Sequence, residues 1–276
     1  MPQTQADRAA LFRSLHAQRP LVLPNAWDAV SARVIELAGA AAIATTSAGV
    51  SWTYGRGDGQ KMSRDEMLEV VRRIVSTVEV PVTADVEGGY GTGSVNDVEQ
   101  TVRAVIASGA VGINLEDSPG HNGETLLSPE AHADRIRAAR AAARATGGDL
   151  VINARTDVYL MQVGAPETRF DEAVRRAKAY RAAGADCVFV PGVIDGATIG
   201  ALVRAIDGPI NIMAGPNAPT ISELGKLGVA RVSVGPRIAE AALAATKAAA
   251  LELLRQGTYH ELERALPFAE VDGSFR

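Results

Sequence analysis

Short apolar runs recur along the whole chain: LVLP (21–24), AAIATTS (41–47), VPVTADVE (80–87), VGINLED (111–117), DLVINARTD (149–157), DCVFVPG (186–192), PINIMA (209–214) and RVSVG (231–235). They are apolar almost throughout rather than strictly alternating, as parallel strands covered on both faces are. Helical patterns separate them. Residues 63–77 open with SRDE, where Ser63 and Glu66 form a capping-box signature. Residues 94–108 start from Ser94 as N-cap, and 128–146 open with SPEA, placing proline at the first helical position. Residues 168–183 follow, then 195–207 from Asp195, then 220–228 opening with TISE, a second capping box. The Ala-rich stretch AEAALAATKAAALELLRQG (239–257) reads as one long helix. Eight strand–helix units in alternation predict an α/β fold, a closed (β/α)8 TIM-type barrel with an extra C-terminal helical segment. A doubly wound open sheet is the alternative.

The 276 residues fit two small domains or one such barrel, and with no linker or low-complexity tract in view the expectation is one domain over 1–276. Aromatics make up only 4% of the chain, so Ala, Val, Ile and Leu carry the packing. A net charge of −4 without a basic stripe argues against nucleic acid as a partner. The lone Cys187 lies in an apolar run, excludes an intrachain disulfide and points to a reduced, cytoplasmic setting. No signal-peptide core is visible at the N-terminus, and no apolar run approaches the ~20 residues that span a bilayer.

Polar residues break the apolar runs in a pattern. Residues two apart share a strand face. Thr83, Asp85 and Glu87 therefore fall on one face, as do Asn114 and Glu116, then Asn153, Arg155 and Asp157, then Asn211 and Met213. All gather toward the C-terminal ends of their strands, the end that carries the active site of a (β/α)8 barrel. Buried charges are costly unless paired or bound to metal. Four carboxylates and one arginine converging on one mouth point to a hard divalent cation with oxygen ligands, and the lack of a His/Cys cluster argues against zinc. The plain alternative is an ion-pair network joining Arg155 to Asp157 or Glu116. Arg155 could instead bind a substrate carboxylate with its two-pronged guanidinium. The glycines of GGYG (88–91) allow a sharp turn and leave room for a ligand.

Together PNAWD (24–28), TTSAGVSWTYGRGD (45–58), ADVEGGYG (84–91), GINLEDS (112–118) and INARTDV (152–158) resemble the isocitrate lyase/phosphoenolpyruvate mutase superfamily, from about residue 15 to 240. The resemblance implies a (β/α)8 barrel, Mg²⁺ (with Mn²⁺ as a substitute), a small 2-oxo or 2-hydroxy acid substrate and homo-oligomers, dimers or tetramers, in which the last helices, here 239–265, are exchanged between subunits. By matching motif it makes Asp85 the direct metal ligand, with Asp58, Glu87 and Glu116 holding metal-bound water. Arg155 neutralises a substrate carboxylate or an enolate, and Thr46, Ser47 and Ala48 line the pocket, some through backbone N–H groups. Tyr90 and Asn211 are further substrate-side candidates.

The chain departs from the family in the loop after the fourth strand. Isocitrate and methylisocitrate lyases carry a cysteine there in a Lys-Lys/Arg-Cys-Gly-His motif; this chain has SPGHNGETLL (118–127), with neither cysteine nor lysine. The phosphonate mutases place a Lys and an Asn-Ser there, of which only Asn122 has a counterpart. His121 is the one histidine near the expected mouth and the candidate proton donor; His16, His132 and His260 fall on helical segments and read as structural. The expected activity is a Mg²⁺-dependent C–C bond cleavage, retro-aldol or decarboxylation, of a small 2-oxo or 2-hydroxy dicarboxylate through a pyruvate-like enolate. The alternative is C–P chemistry, as in a phosphonopyruvate hydrolase or phosphonomutase. A non-catalytic barrel is the third class.

Overall fold

The first barrel strand is cut in two by Pro24, which has no N–H to give the ladder. Its first half, β1 (Leu21–Leu23), pairs with the last strand, β9 (Arg231–Ser233); its second half, β2 (Asn25–Ala26), pairs with β3 (Ile43–Thr45). That double duty closes the sheet. The computed structural model describes residues 4–17, 20–119, 126–147 and 149–275. Between β3 and β9 run β4 (Val82–Asp85), β5 (Gly112–Glu116), β6 (Val151–Arg155), β7 (Cys187–Phe189) and β8 (Ile210–Met213), every pairing parallel and between sequence neighbours. The eight strand positions are those the apolar runs predict, and the fold is the expected TIM-type barrel.

Helices surround it: α1 (Gln5–Leu15), α2 (Ala29–Leu37), α3 (Ser47–Thr53), α4 (Arg64–Thr77), α5 (Val95–Ala107), α6 (Pro129–Ala145), α7 (Arg169–Ala182), α8 (Gly196–Ala205), α9 (Ile221–Lys226), α10 (Arg237–Arg255) and α11 (Phe268–Gly273). The predicted caps form. Ser63 and Thr220 sit in capping boxes with Glu66 and Glu223, Ser94 pairs likewise with Asp97, and Ser128 and Asp195 accept from the first turns of α6 and α8. The patterns above miss α1, α2, α3 and α11. The run 41–47 also extends too far, because Ser47 already belongs to α3.

Most of the apolar core lies between strands and helices. Ile113, Leu115 and Ile152, for example, meet Val98, Val102 and Ile136. A separate group fills the lower barrel: Phe12 and Leu15 of α1 pack with Leu21, Leu23, Ala44, Val111 and Val151. Val111 and Val151 lie at the starts of their strands, so α1 closes the N-terminal mouth and the opposite end is left for ligands. Among the described residues no helix is long and apolar enough to cross a membrane.

Candidate active site

At the C-terminal mouth a cavity of about 270 Å³ opens among the strand ends. Thr46, Ser47, Ala48, Asp58, Asp85, Arg155 and Asn211, all expected at the site, line it. Asp85 ends β4. Its Oδ1 accepts from Asn114 Nδ2 (3.0 Å) and its Oδ2 from the Ser47 backbone N–H (3.2 Å), while its own N–H donates to Thr45 Oγ1 (2.8 Å). With the Glu87 N–H, which also donates to Oδ1 (3.3 Å), three neutral donors fix the carboxylate but leave its charge without a counter-ion in contact.

Glu87 reaches the site by a route that strand alternation does not describe. The strand stops at Asp85, and Glu87 lies in the following turn with φ 49°. Tyr90 (φ 62°) and Gln60 (φ 52°) share this left-handed conformation, which is costly for residues with a Cβ. The three strained residues hold one another. The Gln60 N–H donates to Glu87 Oε2, the Tyr90 hydroxyl donates to Glu87 Oε1 (3.1 Å), and the Tyr90 N–H donates to Gln60 Oε1 (2.8 Å). Gln60 Nε2 also donates to the Pro119 carbonyl (3.0 Å), so the loops after β3, β4 and β5 are tied together. Gly88 is required there, since a Cβ would come within 2.7 Å of the Ser118 carbonyl oxygen.

This arrangement crowds negative charge. Burial, then the Asp85 and Asp58 charges, push the Glu87 carboxyl up to about 7. Desolvation and the Asp85 charge raise Asp58, whose carboxylate is steadied by the Ser47 side chain and the Gly59 N–H. Acids raised by like charges gain from a cation between them. The donors are oxygens, which suits a hard divalent ion. Among the described residues no three acidic, His or Cys side chains converge closely enough to hold an ion together. The oxygen chemistry of Asp85, Asp58 and Glu87 is compatible with such an ion.

Arg155 ends β6 and makes the pairs that the plain alternative names. Its Nε and Nη2 meet Asp157 Oδ1 and Oδ2 (2.5 and 3.0 Å), and its Nη1 meets Glu116 Oε2 (2.9 Å). Burial would lower the guanidinium, but the two acid charges outweigh it and raise it, while burial raises Glu116 and Asp157. Arg155 still faces the cavity, over the Phe189 ring at 5.8 Å. Glu116 does not line the cavity and pairs with Arg155. Tyr90, expected at the substrate, is also off that wall and spends its hydroxyl on Glu87. His121 lies outside the described residues.

Several wall residues carry no role in the sequence reading. Asn114 and Asn153 continue the chain from Asp85, with Asn153 Nδ2 donating to Asn114 Oδ1 (3.1 Å). Asn25 bridges β3 and the end of β9, and Arg237 and Glu240 pair at the rim (2.9 Å). Arg231, the first residue of β9, reaches the cavity from below. Its position two before Ser233 on the same face was the available signal.

With this geometry in hand, residues 12–254 match the phosphoenolpyruvate phosphomutase family. The chain belongs to that family, within the isocitrate lyase/phosphoenolpyruvate mutase superfamily. An oxaloacetate decarboxylase of Bradyrhizobium sp. is 30% identical over 97% of this chain and 91% of its own. A phosphonopyruvate hydrolase of Variovorax sp. is 31% identical over 97% and 92%. A solved phosphonopyruvate hydrolase in complex with oxalate and Mg²⁺ superposes with a TM-score of 0.83, at 28% identity over 98% of this chain and 95% of that one. The superfamily contains C–C lyases and C–P enzymes alike.

Proposed function

We propose that this protein is a Mg²⁺-dependent lyase that cleaves a C–C bond of a small 2-oxo or 2-hydroxy dicarboxylate, by decarboxylation or retro-aldol cleavage, leaving a pyruvate-like enolate. The observation that carries it is the crowding of acidic charge, Asp58 and Asp85 on the wall of a substrate-sized cavity with Glu87 close behind them, facing Arg155 across amides and hydroxyls. A bound divalent cation supplies Lewis-acid stabilisation of the negative charge that develops on the substrate as the bond breaks. Asp85 holds the cation, and Asp58 and Glu87 hold its waters; Mn²⁺ fits the same donors. Arg155 sets a positive charge against the substrate carboxylate or the enolate, and its own orientation is fixed by Glu116 and Asp157. Asn114 and Ser47 keep the Asp85 carboxylate in one orientation. Thr46, Ser47, Ala48 and Asn211 shape the wall around the substrate.

Decarboxylation is the least demanding chemistry for this site, because the leaving group departs without protonation by the missing loop cysteine. His121 is the candidate that returns a proton to the enolate. The similarity to phosphonopyruvate hydrolase supports a second reading, cleavage of a C–P bond beside the same enolate. Pyruvate release from oxaloacetate, 2-methylisocitrate, dimethylmalate and phosphonopyruvate, each with Mg²⁺ and with EDTA, separates the two. Turnover of a C–C substrate that stops with EDTA supports the first; turnover of phosphonopyruvate alone would replace it with the second. The chain is also proposed to be a cytoplasmic single-domain protein that assembles into oligomers, supported by the apolar side chains exposed on its last helices, Leu254 at 84% and Phe268 at 83%.

A further inference from the structure

Three arginines line the cavity, and they differ in how their charge is spent. Arg155 is held by two carboxylates and Arg237 by Glu240. Arg231 is 2% exposed, and its Nε and Nη1 have no hydrogen-bond partner. It stands above the Phe12 ring at 5.9 Å, on top of the apolar plug that closes the lower barrel, and faces upward into the cavity. Desolvation pulls its guanidinium down to about 10, which leaves it charged at neutral pH. Two further orphaned atoms belong to the same wall: Thr83 Oγ1 and Asn153 Oδ1 are both buried and unpartnered.

The Asn153 orientation is not free. Asp85 takes a hydrogen bond from Asn114, which takes one from Asn153, so the amide chain runs outward to the carboxylate and leaves an acceptor oxygen at its inner end. The lower cavity thus offers guanidinium donors, a hydroxyl of either sense and one acceptor. Two unpartnered nitrogens on a buried guanidinium are costly, and native interiors rarely leave polar groups so. An occupant that satisfies all three sets carries a compact negative charge and a hydroxyl or a bridging water.

We infer that the floor of the cavity is a second anion subsite, in which Arg231 and the Thr83 hydroxyl receive a carboxylate-sized monovalent anion and the Asn153 oxygen is reached through a bridging water. On the proposed lyase reading, that anion is the far carboxylate of the dicarboxylate substrate, whose other end lies at Asp85. Arg231 then discriminates dicarboxylates from monocarboxylates. A free halide offers the same chemistry at the same place, and the two sources are separable.

The test is binding, so it does not depend on turnover. Calorimetry with Mg²⁺ in a HEPES buffer of low halide content compares succinate with its monoamide, succinamate, on the wild type, Arg231→Met and Arg231→Lys, each first checked for native circular dichroism. In the wild type succinate binds at least about tenfold tighter, because a buried charge pair has been lost in the amide complex. Arg231→Met abolishes that preference, and Arg231→Lys, which keeps the charge without the fork, reduces it several-fold and covers the case in which Met does not fold. Crystals soaked in bromide provide the second arm. No succinate preference but an anomalous bromide peak at Arg231 assigns the subsite to a free halide. A succinate preference that survives both substitutions, or neither preference nor bromide, overturns the subsite. Its failure is distinct from failure of the lyase reading, which the EDTA-sensitive pyruvate assay reports on the wild type.

Discussion

Glu87 combines a left-handed backbone, burial at 2% exposure and two like-charged neighbours, and each of these costs free energy in the metal-free protein. Its folded pKa of about 7 lies above the unfolded 4.5. The folded state therefore holds this proton more tightly. The group costs nothing below pH 4.5, and its ionisation destabilises progressively up to about pH 7, by about 3 kcal/mol in all. Glu87→Gln should remove that cost. In thermal melts with EDTA, the variant should gain on the wild type as pH rises from 5 to 8, and Mg²⁺ should narrow the gap by stabilising the wild type. Parallel pH curves would show that Glu87 carries no such strain. This residue also marks where pattern reading stops. Alternation assigns Glu87 to the Asp85 face, but the strand ends at Asp85 and a strained turn, braced by Gln60 from the loop after β3, does the placing instead. No local propensity encodes that turn; only the mutual hydrogen bonds of Gln60, Glu87 and Tyr90 hold it.

At the scale of elements, the helices legible in the sequence are those that announce themselves by local chemistry. Ser63, Ser94, Ser128, Asp195 and Thr220 each satisfy an orphaned N–H of the next turn, a bond that depends on only four residues. α1 carries a Thr4–Asp7 box too, but its face is mostly polar, with Ala9, Phe12 and Leu15 the buried positions, and its role as a plug depends on strands far along the chain. α3 begins without a capping side chain directly after a strand, so it merges into the apolar run. α6 carries a testable consequence of its packing. His132 is buried against the Tyr180 ring at 4.6 Å, and desolvation, aided by the Arg135 charge, lowers its pKa from 6.5 to about 3. The unfolded chain takes that proton first. Stability from this group is complete above pH 6.5 and is lost as pH falls toward 3, by about 2 kcal/mol at pH 5. His132→Phe keeps an aromatic ring on Tyr180 and should flatten the acid side of the stability profile in denaturant titrations. An unchanged acid slope would contradict the assignment.

For the whole molecule, closure of the barrel is what turns scattered polar residues into a site. Asp85, Arg155, Asn211 and Arg231 come from four strands, and their convergence follows once the apolar runs close on themselves. The mouth was legible because its charges sit at strand ends and because the motifs resemble a known superfamily. The floor was not, since an arginine opening an apolar strand looks like a flanking charge until α1 is seen to seal the barrel beneath it. The exposed apolar side chains of α10 and α11 bear on assembly. Leu254→Asp with Phe268→Asp should lower the mass measured by light scattering if those helices cross to a neighbour, and an unchanged mass would exclude that exchange. The proposed hold of Asp85 on a catalytic cation can be tested by titrating Mg²⁺ into the wild type and Asp85→Ala by calorimetry while following pyruvate release from oxaloacetate. Mg²⁺ binding and turnover are expected in the wild type, with binding lost and turnover reduced at least about a hundredfold in the variant. A variant that binds Mg²⁺ and turns over as the wild type does would contradict it.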